Sequence, residues 1–208
     1  MDAETNLTEI AAEIRQCTRC PLSRTRKNAV PGAGPANAEI MCIGEGPGHH
    51  ENEQGLPFVG ASGKFLSQLL QDGDVPRETV FITNVVKCRP PGNRDPQPEE
   101  LLACNNYLER QIEVIDPLII ITLGRVSMAR YFDNARISSI HGEPVWHSGR
   151  LIVPMYHPAA ALHQPNLRQV IAHDFARLKE MIEREKNRRK MDSTKDMNQD
   201  NASQLSLF

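Results

Sequence analysis

The residues best suited to chemistry in this chain stand at the ends of apolar runs. Ile40-Met41-Cys42-Ile43 breaks at Gly44-Glu45-Gly46-Pro47-Gly48, a loop whose glycines let backbone come close to a flat ligand. A second run, Val80 to Val86, carries Asn84 near its end, and a third, Leu151 to Met155, leads to His157. Phe58 lies in a Gly/Pro-flanked turn, Gly55-Leu56-Pro57-Phe58-Val59-Gly60. These residue types together suit a planar, polar ring. A phenyl face stacks on the ring and an asparagine amide reads a donor and an acceptor on its edge. Backbone groups of the glycine loop around Gly46 and Gly48 bond a carbonyl, and an imidazole sits near a developing oxyanion. One strand-end histidine or asparagine serves structure as readily as function. Four such residues on one predicted sheet edge make a site.

The cysteines form a second constellation. Cys17 and Cys20 make a CxxC, and Cys88 and Cys104 follow far along the chain. Four thiolates suit either tetrahedral zinc or an iron–sulfur cluster, and spacing alone favours zinc because Cys₄ zinc sites are common. Cys42, inside an apolar run, reads as a small buried hydrophobe.

These residues have to be positioned by a chain of 208 residues, 39% hydrophobic and 24% charged, with a net charge of −2. That suits one domain with a substantial core and gives no global nucleic-acid signal, although a local basic patch remains compatible with DNA. No apolar run approaches the roughly 18–20 residues needed to cross a bilayer. The acidic start, MDAETNLTEI, lacks a signal core, so a cytoplasmic, reducing setting without disulfides is expected. Helices are expected over Leu7–Gln16 (Thr8 as N-cap), Ala61–Gln71, Glu99–Ile115, Val126–Phe132 and Asn166 to about Arg189. His141–Trp146 reads as a loop and an edge strand. β-rich runs alternate with these helices, so the fold class is α/β, with a mainly parallel sheet and helices on both faces. Residues 1–189 form the expected domain. Residues 190–208 form a tail, polar and without regular structure until the apolar Gln204-Leu205-Ser206-Leu207-Phe208.

GEGPG, LPFVG, TNVVKCRP and HPAAAL, in this order and spacing, resemble the family 4, iron–sulfur uracil-DNA glycosylases, from about Cys17 to the last helix. The resemblance implies a three-layer αβα sandwich around a four-stranded sheet. It implies excision of uracil from DNA after base flipping, with uracil stacked on Phe58, read by Asn84, and held by Glu45, Gly46 and Gly48. His157 would hydrogen-bond uracil O2 and stabilise the leaving anion. Cys17, Cys20, Cys88 and Cys104 match the ligands of a [4Fe-4S] cluster, which reverses the preference for zinc. The loop after His157 would enter the minor groove with Leu162 as a wedge and Arg168 nearby. Arg24 to Lys27, Arg89 and Arg94 are further candidates for DNA contact. The chain departs from the most active members of the wider superfamily at Gly46, where those carry an aspartate that activates water. Glu45 or Glu51 is the replacement. This departure leaves a catalytically weak, damage-binding relative as the alternative reading. A related subfamily crosslinks DNA through a histidine that Arg89–Pro98 lacks. Gln204, Leu205, Leu207 and Phe208 resemble the peptide by which bacterial repair proteins dock on the polymerase sliding clamp. A monomer with no membrane contact is expected.

Overall fold

The computed structural model describes residues 2–205, with side chains through residue 191. Five strands, β1 (Ile40–Gly44), β2 (Val80–Asn84), β3 (Ile119–Leu123), β4 (Val145–His147) and β5 (Arg150–Met155), form one sheet in the order β2-β1-β3-β5-β4. The first three and β5 run parallel, and β4 pairs antiparallel with β5. The expected four-stranded sheet is thus the parallel part, extended by an exposed antiparallel edge strand made from the His141–Trp146 region and His147.

The helices are α1 (Ala3–Gln16), α2 (His49–Gln54), α3 (Ala61–Asp72), α4 (Pro98–Ile115), α5 (Arg125–Met128), α6 (Ile137–Ile140), α7 (Ala160–His163), α8 (Leu167–Ala176) and α9 (Leu178–Leu205). Alternation along the buried strands divides the core in two. Ile40, Cys42, Ile82, Ile121 and Val153 meet Leu66 and Leu69 of α3, Ile171 and Phe175 of α8, and Leu178 of α9. Met41, Ile43, Phe81, Ile120 and Ile152 face the other way, onto Ile10 and Ile14 of α1 and Leu108 and Ile112 of α4. The result is the αβα sandwich.

Local chemistry moved several boundaries. α1 begins at Ala3 because Asp2, not Thr8, is its cap: the Asp2 carboxylate accepts the Thr5 N–H at 2.8 Å, while the Thr8 hydroxyl donates to Glu4 O inside the helix. The single helix expected from Asn166 to Arg189 is two. At Arg177 the turn tightens to an i→i−3 bond onto Asp174 O, and the guanidinium reaches Gly142 O. The helical backbone of α9 continues past residue 189 to Leu205. The side chains of Gln204 and Leu205, and all of Leu207 and Phe208, lie outside the described residues.

α4 is fixed at its start by two motifs. Pro98 occupies its first turn, and Glu100 accepts the Gln97 N–H at 2.8 Å in a capping box. Arg94 grips the same carboxylate through two hydrogen bonds of 2.9 and 2.7 Å, closing the proline-rich loop onto the helix that carries Cys104. Glu100→Ala leaves the Gln97 N–H and the Arg94 guanidinium without their acceptor, and is expected to cost about 1–3 kcal/mol. Urea denaturation of the variant checks this; an unchanged midpoint would show that the loop does not depend on Glu100.

Candidate active site

The parallel strands end together. The carboxyl edge around β1 is also where the chain reverses its direction across the sheet, since β2 lies on one side of β1 and β3 on the other. Open α/β sheets bind ligands at this position. A cavity of about 470 Å³ opens there, lined by Glu45, Gly46, Gly48, Glu51, Phe58, Asn84 and His157. Six of the seven come from three separate strand ends and the helix after the first; Phe58 arrives from the turn that precedes α3.

Phe58 is held in a costly conformation. Its φ of 51° lies in the left-handed region that a bulky side chain rarely occupies, yet the residue is buried. Two opposite charges hold its flanks. Glu51 of α2 accepts the N–H groups of Val59 and Gly60, both at 2.9 Å, through one carboxylate oxygen. Arg77 donates to Pro57 O at 2.8 Å, to Ser67 Oγ at 3.0 Å and to Gly63 O at 3.3 Å. Below the turn, Gly63 is obligatory, because a Cβ there would lie 1.8 Å from Phe58 O. The Phe58 ring stacks on His157 with centroids 5.6 Å apart and planes 26° apart. That is the contact distance of a stacked pair, so no ring fits between them and a flat ligand must meet Phe58 from the cavity.

His157 has a defined tautomer. Its Nδ1 accepts the Ala159 N–H at 3.1 Å, so the ring proton sits on Nε2. Burial pushes its pKa from 6.5 down to about 4, against an opposing pull from the Glu51 carboxylate. The ring is therefore a neutral hydrogen-bond donor at physiological pH. Asn84 ends β2, in register with Gly44, and is only 2% exposed. Its amide has no protein partner among the described residues and faces the cavity. An amide on a side chain this enclosed, with access only to the cavity, is free to bond a ligand there. The Glu45 carboxylate likewise has no hydrogen-bond partner among the described residues, and its pKa is raised by burial and by Asp95.

The four candidate cysteines lie on the α1–α4 side of the sheet, whereas Cys42 faces the opposite core. Burial raises the thiol pKa of Cys88, with a further rise from Cys20 and Cys17. Burial likewise pushes that of Cys104 to about 11, with Cys88 and Cys20 adding to it, so the sulfurs sense one another. Among the described residues no three His, Cys, Asp or Glu side chains gather closely enough to hold a single metal ion. Arg26 Nη1 donates to Cys88 Sγ at 3.1 Å and the Lys87 N–H to Cys104 Sγ at 3.5 Å.

The candidate DNA contacts separate into groups. Leu162, on α7 between the cavity-lining Ala160 and His163, is 45% exposed. Arg168 stacks its guanidinium on Phe65, 4.5 Å from the ring centroid. Arg26 is spent on Cys88 and Arg15 O, Lys27 pairs with Glu53, and Arg94 with Glu100. Arg89 bonds Asn93 and His49 beside the cavity. The sequence reading missed Arg77 and Lys87. Arg77 lies in an unremarkable turn, but Lys87, placed between an apolar strand and a cysteine, carried a usable signal. Burial pushes the Lys87 pKa down to about 7, opposed by the Cys104 sulfur, while three acceptors around Nζ favour its ammonium form.

Against this geometry, residues 31–183 match the model of the uracil DNA glycosylase superfamily. The chain is 49% identical over 187 residues to a type-4 uracil-DNA glycosylase of Saccharolobus solfataricus, covering 85% of this chain and 87% of the relative. It is 40% identical over 185 residues to the type-4 enzyme of Thermotoga maritima, covering 86% and 96%, and 43% identical to that of Archaeoglobus fulgidus, covering 85% and 93%. The chain belongs to the uracil DNA glycosylase superfamily, in its type-4 branch.

His157 generates a pH prediction. With a folded pKa near 4, the ring stays neutral from about pH 5 upward, so the rate of the reaction proposed below should show no inflection of a histidine near 6.5. Between 6.5 and 4 the unfolded chain takes a proton that the folded one refuses, so stability falls as pH drops through that window. An inflection near 6.5 that vanishes in His157→Gln would refute the neutral assignment.

Proposed function

We propose that the protein excises uracil from DNA by hydrolysing the N-glycosidic bond, the first step of base excision repair. The observation that carries this reading is the buried Asn84 amide, open to a cavity beside Phe58 and a neutral histidine. Uracil presents an acceptor at O4 and a donor at N3, which one amide satisfies with its nitrogen and oxygen. Cytosine presents a donor and an acceptor in those places, so the same amide orientation leaves both groups facing like partners.

The base must leave the duplex to reach Asn84, and stacking on Phe58 offsets part of the lost stacking. Leu162 fills the gap as a wedge, and Arg168 and Arg89 lie near the DNA backbone. As the glycosidic bond breaks, negative charge gathers on uracil. His157 donates from Nε2 to O2, and because it is neutral it donates without taking part in a proton transfer. Its charge state needs no change during the reaction, so the donor is preorganised. Gly46 contributes backbone and room, and Gly48 continues that loop.

The attacking water falls to Glu45. Glu51 has one oxygen occupied by two backbone N–H groups, whereas the Glu45 carboxylate has none, and its raised pKa suits it to accept a proton. At residue 46, where other superfamily members carry an aspartate, a Cβ would lie 2.9 Å from Val86 Cγ2, so Val86 would have to shift.

Cys17, Cys20, Cys88 and Cys104 suit a [4Fe-4S] cluster. Four sulfurs converge in one layer without the tight gathering that a single zinc requires, roughly 3.8 Å between sulfurs from Zn–S bonds of about 2.3 Å, and cationic or N–H donors point at three of them, Cys17, Cys88 and Cys104. When bound, the cluster supplies a cross-link between α1, the proline-rich loop and α4. The tail residues Gln204, Leu205, Leu207 and Phe208 are proposed, on sequence grounds, as a docking peptide for the sliding clamp.

His157→Ala should fold and lose on the order of 10²–10³-fold in single-turnover cleavage of a uracil oligonucleotide. Near-native cleavage would remove the role given to it, and failure of the native protein to release uracil would leave the damage-binding alternative. Replacing Cys17, Cys20, Cys88 or Cys104 by Ala should empty the protein of iron, while Cys42→Ala should not. Iron analysis of the five variants decides the ligand set.

A further inference from the structure

The long side chain of Lys87 is almost fully enclosed, at 1% exposure. Lysine is almost never buried without a partner. Its Nζ donates to Thr83 Oγ1 at 2.6 Å, to Asn84 O at 2.9 Å and to Gln111 Oε1 at 2.7 Å. All three are committed acceptors. The Thr83 hydroxyl spends its proton on Pro31 O at 2.9 Å, and Gln111 Nε2 donates to the same carbonyl at 2.8 Å, which turns Gln111 Oε1 toward Nζ. Three acceptors use three protons, and only the ammonium has three. No carboxylate pairs with it among the described residues.

An enclosed cation without a carboxylate needs its countercharge elsewhere. The cysteine layer lies beside it: the Lys87 backbone N–H bonds Cys104 Sγ at 3.5 Å and Cys88 is the next residue, and as cluster ligands both would be thiolates. The same side chain grips the carbonyl of Asn84, whose amide faces the cavity on the other side of the strand. We propose that Lys87 is a positioning residue that fixes Asn84 for base recognition, with its charge balanced by the thiolates of the cluster site, so that cluster and base reading are joined through one side chain. The charge-balance half rests on the cluster reading given above; the Asn84 half rests on hydrogen bonds alone.

The test is a double-mutant cycle on the full chain, with Lys87→Met, Asn84→Ala and the double variant, each checked for folding by circular dichroism. Single-turnover cleavage of a uracil oligonucleotide should fall about tenfold in Lys87→Met, and Lys87→Met should add nothing in the Asn84→Ala background. Equal losses in both backgrounds, or no loss in the native one, would overturn the positioning role. Gln111→Glu, which keeps the lysine and does not depend on Lys87→Met folding, adds a negative charge beside Nζ. It should lower the midpoint potential of the cluster, because the reduced cluster is the more negative form. An unchanged potential would overturn the charge balance. A native protein that binds no iron would overturn the cluster reading and the charge balance with it, while the rate cycle would still decide whether Lys87 acts through Asn84.

Discussion

The register of the parallel strands is the constraint on which the site depends. Gly44 pairs with Asn84 and Leu123 with Met155, so the chain leaves the sheet at one level in four places. Side chains alternate between faces, and a slip of one residue in β2 would exchange Thr83 and Asn84. As built, Thr83 points to the α1–α4 layer and receives Lys87, while Asn84 opens toward the Phe58 side. One strand end therefore serves two sites on its two faces, the cysteine layer behind and the cavity in front. The apolar faces on both sides enforce that register far more strongly than any residue of the site does.

Much of this arrangement was legible in the sequence because it rests on short-range signals. Apolar runs that end in glycine, asparagine or histidine marked the sheet edge, and the CxxC with two later cysteines marked the second layer. Contacts made across long separations were hidden. Nothing local says that Arg77 will reach back to Pro57, or that Glu51 will hold the N–H groups of Val59 and Gly60. The start of α1 was misplaced because Thr8 and Asp2 are both good caps, and only the packing of Leu7 on the core decides that the helix already exists there. The break at Arg177 was invisible for the same reason: its cause, the Gly142 carbonyl, lies 35 residues away.

The electrostatics of the cavity follow from burial and not from an excess of one charge. His157 is enclosed deeply enough to lose its charge, and the Ala159 N–H then assigns its proton to the cavity side. A cationic histidine would bind an anion more strongly, but it would also bind other anions and would need solvation in the empty site. The neutral ring donates one directed bond, whose strength grows as charge builds on the acceptor. In the proposed reaction that growth is the source of selectivity for the transition state.

The same reasoning separates the two glutamates. A carboxylate that anchors a strained turn must stay in place, and the N–H groups of Val59 and Gly60 hold Glu51 there. Glu45, proposed to handle the water, is half-buried and accepts no hydrogen bond among the described residues, and burial raises its pKa. Had a single aspartate stood at residue 46, it would have met Val86, whose side chain fills the space beneath the glycine loop. Gly46 thus suits a loop packed closely on the segment that follows β2. With the carboxylate one residue earlier, at Glu45, an acid still lines the cavity while the loop packs close to Val86.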